Sequence, residues 1–232
     1  MKKYISILLI IVLGLVVVGC SKEKTDAMKF KEEYESVNNQ VNEHTNKKNR
    51  EVSIPKDNPF VYATAEEIAK KIDNKETFIV YFGFKDCPWC RSVIEQLVKV
   101  AQDKKVETIY YVDVLDIRDT KEIAEDGSIN TTKEGTKGYM KLLGQLDSVL
   151  EDYTLTNANE EEISAGEKRI YAPNVVAVAN GQAIQLETGI SDELKDPYSK
   201  LTKKIKKYAY NKFSCLVKCL EEESTTCQKN SC

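Results

Sequence analysis

Seven cysteines are the residues of this chain best placed to do chemistry, and their spacing sorts them into three groups: Cys20 alone, Cys87 with Cys90, and Cys215, Cys219, Cys227 and Cys232 near the C-terminus. The middle group reads Cys87-Pro88-Trp89-Cys90. A thiolate is the nucleophile of disulfide exchange, and two intervening residues let the second sulfur reach the first within one helical turn, so a mixed disulfide can be resolved internally. Lys85 and Arg91 add positive charge beside the pair and Asp86 opposes it. Taken alone, C-x-x-C suits half of a zinc site equally well. Little else competes: the chain holds one histidine, His44, and its formal charge of -3 excludes a strongly basic nucleic-acid binder.

What must position the pair is a strand and a helix. Residues 77–84 (TFIVYFGF) form a β-branched and aromatic run, the composition of a strand covered on both faces. A helix from Cys87 to Gln102 follows, with Val93, Ile94, Leu97, Val98 and Ala101 on one side, and residues 106–114 (VETIYYVDV) read as a second strand parallel to the first. The dithiol therefore stands at a helix N-terminus, whose free N–H groups and dipole favour a thiolate. Pro88 suits the first turn, where its missing N–H costs nothing. With no second ligand pair nearby, this setting favours redox chemistry over zinc.

The other elements follow from patterning. Val52 to Ile54 or Phe60 to Tyr62 supplies a first strand; Thr64 and Glu67 form a capping box for a helix carrying Ile68, Ala69 and Ile72. Spacings of three and four from Tyr139 through Leu142, Leu143, Leu146, Val149 and Leu150 to Tyr153 predict an amphipathic helix of about four turns between turn-like flanks. Residues 174–179 (NVVAVA), then Asn180-Gly181, then 182–187 predict a β-hairpin. A last helix is expected to turn Tyr198, Leu201, Ile205 and Tyr208 inward; its many lysines, from Lys195 to Lys218, read as a solvated face, with attraction to an anionic surface as the sharper alternative.

The N-terminus is an address. Lys2 and Lys3 precede an apolar run from Ile5 to Val18, shorter than the ~20 residues a spanning helix needs. The run ends in Val17-Val18-Gly19-Cys20, which resembles the lipobox of bacterial lipoproteins. That resemblance implies lipidation of Cys20 and an extracytoplasmic protein anchored to the bacterial cell membrane. Residues 1–19 then form a signal peptide, 20–57 a polar tether with a short helix near Phe30, Tyr34 and Val37, 58–212 one domain, and 213–232 a Cys-rich tail. In an oxidising compartment the four tail cysteines are expected in structural disulfides. Three pairings are open, with Cys215–Cys232 and Cys219–Cys227 matching a helical hairpin. Zinc binding by the tail, or an electron relay from one tail pair to Cys87 and Cys90, are the alternatives.

Over roughly residues 60 to 210 the chain resembles the thioredoxin superfamily: the element order, CPWC at the strand-to-helix turn, and Tyr171-Ala172-Pro173 just before residues 174–179 all match. The resemblance implies an α/β fold, a thioredoxin-like central mixed sheet flanked by helices, with a helical insertion at about 115–169 before the cis-proline strand. It implies that Cys87 attacks and Cys90 resolves, and that Pro173 and Ala172, beside Pro88 and Trp89, form the substrate shelf. The activity implied is thiol-disulfide exchange, without cofactor or metal, on cysteine-containing secreted or surface proteins, with a membrane or thiol redox partner and no nucleic acid. A non-enzymatic accessory lipoprotein, akin to bacteriocin-transport accessory proteins, and a zinc-dependent binding module are the rivals. One departure stands out: thioredoxins carry a buried Asp as proton acceptor in the central strand, whereas residues 78–82 (FIVYF) hold no acid, which leaves Glu95 or water for that task.

Overall fold

The computed structural model describes residues 23–43 and 45–221. Within them lie five helices and a mixed five-stranded sheet, an α/β architecture. In chain order the elements are α1 (Asp26–Ser36), β1 (Phe60–Tyr62), α2 (Ala65–Asp73), β2 (Phe78–Gly83), α3 (Pro88–Lys104), β3 (Ile109–Asp113), β4 (Thr120–Ile123), β5 (Ile129–Lys133), α4 (Lys137–Leu146), β6 (Glu151–Thr156), β7 (Glu162–Arg169), β8 (Asn174–Ala179), β9 (Gln182–Glu187) and α5 (Lys203–Glu221).

The sheet runs β1-β3-β2-β8-β9. β2 pairs in parallel with β3, as the strand-helix-strand pattern predicts, and antiparallel with β8. Every residue of β2 and β8 is buried, because helices cover both faces. Alternation sorts β2 between two apolar layers. Ile79 and Tyr81 face α3 and α5 in a cluster with Val93, Ile94, Leu97, Phe213 and Leu216. Phe78, Val80 and Phe82 face α2 and α4, against Ile68, Ala69, Tyr139, Leu142 and Leu146.

Local signals fix the element ends. The Thr64 hydroxyl accepts from the Glu67 N–H (3.2 Å), and Glu67 Oε2 accepts from the Thr64 N–H (2.7 Å), completing the expected capping box. At the β8–β9 turn Asn180 and Gly181 both have positive φ (51° and 74°), the backbone a two-residue hairpin requires. A Cβ at Gly181 would stand 2.4 Å from the Ile72 carbonyl oxygen, so glycine is also needed for close packing on α2.

Five expectations change. The stretch read as a tether packs onto the sheet: Phe30 and Tyr34 of α1 are fully buried, and Val52 and Ile54 join the same cluster. Phe30 stacks on Tyr34 and Phe60 with ring centroids 4.4 and 3.9 Å away, and meets Tyr111 edge-on at 4.9 Å. Polar residues complete this docking. Asn38 exchanges two 2.9 Å hydrogen bonds with the Val52 backbone, and Asn58 Nδ2 donates to the carbonyls of Ala27 and Pro55.

The segment 115–169 is not mainly helical. It holds the β4–β5 hairpin, α4 and the β6–β7 hairpin. The amphipathic helix ends at Leu146, and the backbone turns so that Tyr153 lies on β6; Leu150 and Tyr153 stay buried, which explains why their spacing looked helical. The last helix begins at Lys203, after Tyr198 and Leu201, and Tyr208 is exposed while Ala209 and Phe213 fill the core. That helix also runs past residue 212 to Glu221, with Cys215, Leu216, Val217 and Cys219 buried, so the start of the expected tail belongs to the packed unit. The lysines at 203, 204, 206, 207 and 218 are exposed on it.

Removing a buried aromatic ring from a packed cluster costs about 3–5 kcal/mol. Phe30→Ala is therefore expected to lower unfolding stability by about that amount in urea denaturation; a tether residue would change it by less than ~0.5 kcal/mol.

Candidate active site

Cys87 is the N-cap of α3 and Pro88 its first residue. The Cys90 backbone N–H donates to Cys87 Sγ (3.2 Å), using one of the amide groups that a helix start leaves without an intrahelical partner. Cys87 Sγ in turn donates to the Ala172 carbonyl (3.3 Å), and the Ala172–Pro173 peptide bond is cis. The two cysteines, Ala172 and Pro173, 85 residues apart in sequence at the Cys87–Ala172 contact, thus meet at the C-terminal end of β2 and the start of β8. Trp89 is half-buried against the same cluster, and the Pro88 carbonyl lies 3.0 Å from the Ser92 hydroxyl.

Both sulfurs are enclosed: Cys87 is 3% exposed and Cys90 fully buried. Both are free thiols. Their acidities diverge. Burial pushes the Cys87 thiol up, but hydrogen bonds from the Cys90 thiol and from the Cys90 and Trp89 N–H groups, together with the charge of Arg118, bring it below the ordinary thiol value. Cys90 is held well above that value by burial and then by Cys87 itself. One sulfur is therefore prepared as a nucleophile and the other kept as a thiol, the division of labour that stepwise exchange requires.

Arg118, in the loop after β3, escaped sequence reasoning. Its guanidinium lies over the Phe84 ring (5.3 Å to the centroid), and its neighbour Asp119 is locked in a buried ion pair with Arg169 (3.2 Å), whose guanidinium covers the Tyr153 ring at 3.9 Å. The segment 115–169 thus brings a cation to the dithiol. No signal in the sequence tied Arg118 to Cys87, because the two approach only through the loop's path.

Arg91 has a different task from the one its proximity suggested. It is buried, and its guanidinium donates to the carbonyls of Arg50 (2.8 and 2.6 Å), Tyr34 (2.8 Å) and Lys85 (2.9 Å) and to Asn38 Oδ1. It ties the N-terminal segment to the turn before Cys87. The same turn is held by Asn42, donating to the Asp86 carbonyl (2.6 Å), and by Asn49, donating to the Asp86 carboxylate (3.3 Å). Glu95 does not serve Cys90: its Oε1 accepts from the Ser53 N–H (3.0 Å).

Of the remaining cysteines, Cys215 and Cys219 are disulfide-bonded. Their sulfurs are thereby removed from the thiolate state that zinc ligation needs. Cys20, Cys227, Cys232 and His44 lie outside the described residues, and with them the choice of tail pairing. Among the described residues no three His, Cys, Asp or Glu side chains cluster as metal ligands, and no helix is long and apolar enough to cross a membrane.

No protein-family model matches the chain, and no curated protein matches it.

Arg118 makes the thiolate of Cys87 easier to form, so removing its charge raises the Cys87 pKa. Arg118→Gln is expected to move the pH profile of Cys87 alkylation by iodoacetamide to higher pH and to slow the reaction at pH 7 by about threefold or more. An unchanged profile would exclude Arg118 from thiolate stabilisation.

Proposed function

We propose that this protein is a lipid-anchored, extracytoplasmic thiol-disulfide oxidoreductase of thioredoxin-like fold, acting on cysteine-containing secreted or surface proteins. One observation carries the reading: Cys87 Sγ sits at the N-terminus of α3, 3.2 Å from the Cys90 N–H, and reaches across to the Ala172 carbonyl at 3.3 Å. Two free thiols of opposed acidity at a helix start are a redox arrangement. The disulfide-bonded state of Cys215 and Cys219 fits an oxidising compartment, as the lipobox-like Val17-Val18-Gly19-Cys20 does.

In the proposed cycle the Cys87 thiolate attacks a client disulfide. A Cys87–client disulfide forms, and the client's other sulfur leaves as a thiolate and takes a proton from solvent. Cys90 then attacks Cys87, the Cys87–Cys90 bond forms, and the first client sulfur is released as a thiol. Run in reverse, the same steps oxidise a client dithiol. The Ala172 carbonyl already accepts a hydrogen bond at the reacting sulfur, which supports Ala172 and Pro173 as the shelf on which a client chain lies. Pro88 and Trp89 border the pair.

Cys90→Ala interrupts the cycle after the first bond. Expressed in place of the native chain, it is expected to accumulate reducible, higher-mass adducts on non-reducing gels, and Cys87→Ala/Cys90→Ala none. If Cys90→Ala captures no client from secreting cells, the enzyme reading gives way to a binding role.

A further inference from the structure

Resolution requires Cys90 to become a thiolate in a fully buried setting, and β2 holds no acid to assist it. Resting on the exchange reading above, we propose that the Tyr81 hydroxyl is a catalytic hydrogen-bond donor to the Cys90 thiolate, and that Tyr34 and Gly83 position it.

The geometry is specific. Tyr81, at the centre of β2, shares one buried cluster with Cys87, Cys90 and Tyr34 of α1, and its hydroxyl lowers the Cys90 pKa, the direction that a phenol donating to the thiolate produces. Tyr34 and Tyr81 are both fully buried, and their hydroxyl oxygens lie 2.8 Å apart. Each phenol has a single proton to donate. If the Tyr81 O–H donates its hydrogen bond to sulfur, its oxygen remains free to accept from Tyr34, and the chain runs Tyr34 to Tyr81 to Cys90. In a dry site each such bond polarises the next. Gly83 makes the arrangement possible. Two residues along the same strand face, a Cβ there would stand 2.4 Å from Tyr81 Oη and 2.5 Å from Cζ, so the phenol lies across the backbone in the space a side chain would take.

The groups bearing on Cys90 come from five places: Cys87 at the N-cap of α3, Tyr81 on β2, the Phe84 N–H just after β2, Tyr34 on α1 and Arg118 from the loop after β3. Arg91, also on α3, sets its positive charge against Tyr34 and Tyr81, partly offset by Asp86. Burial holds both phenols well above their ordinary acidity range, so Tyr81 stays a donor and does not act as a base.

The step balances without a proton acceptor in the protein. The Cys90 S–H bond breaks and its proton passes to solvent. The thiolate, held by Tyr81, attacks Cys87 of the mixed disulfide; the Cys87–Cys90 bond forms and the Cys87–client bond breaks, reducing the client sulfur to a thiolate that takes up a proton. Tyr81 keeps its own proton throughout.

The test needs no client, so it stands apart from the fate of the exchange reading in cells. The reduced full chain, carrying Cys20→Ser and with its structural disulfides intact, is mixed in detergent with 5,5′-dithiobis(2-nitrobenzoate) in a stopped-flow spectrometer. The first, reagent-dependent release of thionitrobenzoate reports attack by Cys87; the second, reagent-independent release reports resolution by Cys90. Tyr81→Phe is expected to slow the second phase at least ~10-fold, the weight of a hydrogen bond to a charged group, and to move its pH profile upward. The first phase keeps its rate. Tyr34→Phe slows the second phase less, in the same direction. Because Tyr81→Phe strands the Tyr34 hydroxyl, the doubly substituted Tyr34→Phe/Tyr81→Phe chain, which removes both partners at once, serves as the second variant and is expected to show the same slow second phase. A second phase of native rate and pH profile in either chain would overturn the proposal, as would equal slowing of both phases.

Discussion

The site depends on a buried cation. Arg91, in the first turn of α3, places its guanidinium among backbone carbonyls from three separate segments, those of Tyr34, Arg50 and Lys85, and the Asn38 side chain. Burying a charge is unfavourable unless its hydrogen-bonding capacity is met, and here it is met by three backbone carbonyls and Asn38 Oδ1. The consequence is mutual. The N-terminal segment is held to the sheet, the turn carrying Lys85 and Asp86 is fixed, and the helix start at Cys87 acquires one orientation. Without that orientation the Cys90 N–H would not point at Cys87 Sγ, nor Cys87 Sγ at the Ala172 carbonyl.

The two thiols differ because their surroundings differ, not because their exposure does. Both are excluded from water, which disfavours either thiolate. Cys87 recovers that cost from helix-start N–H groups, the Cys90 thiol and Arg118, whereas Cys90 is pushed up further by Cys87, and the Tyr81 hydroxyl and the Phe84 N–H offset this only in part. The segments that supply these groups lie apart in the chain: Tyr34 on α1 before β1, and Arg118 in the segment between β3 and β8. Both segments look peripheral when the central sheet alone is considered, yet each contributes one group at the sulfurs.

Much of this was legible in the sequence where patterning is strong. The runs at β2, β3 and β8 are continuous and apolar because both faces are covered, and CPWC lies where a strand must become a helix, so the sheet centre and the dithiol follow from local composition. The hairpins β4–β5 and β6–β7 were not legible. Their faces are mostly solvent-exposed, Thr, Lys, Glu and Ser predominate, and apolar alternation is confined to short pairs such as Tyr153 with Leu155. The N-terminal segment was missed for another reason. Its docking relies on four aromatic and aliphatic anchors, Phe30, Tyr34, Val52 and Ile54, scattered among polar residues whose partners lie far along the chain. Composition reported the polarity and not the partners. Likewise a search of β2 for a carboxylate passed over Tyr81, because a hydroxyl signals a role only once Tyr34 and Cys90 are placed around it.

The reversible redox behaviour of the Cys87/Cys90 pair tests the central claim most directly. Equilibrating the native chain against glutathione buffers of graded potential, with trapping and mass spectrometry of each cysteine, is predicted to yield one two-electron transition assigned to Cys87 and Cys90, complete under conditions that leave Cys215 and Cys219 oxidised. If Cys87 and Cys90 remain thiols across the whole range, or form a bond only when the chain is unfolded, the pair is structural and the account of the site is wrong.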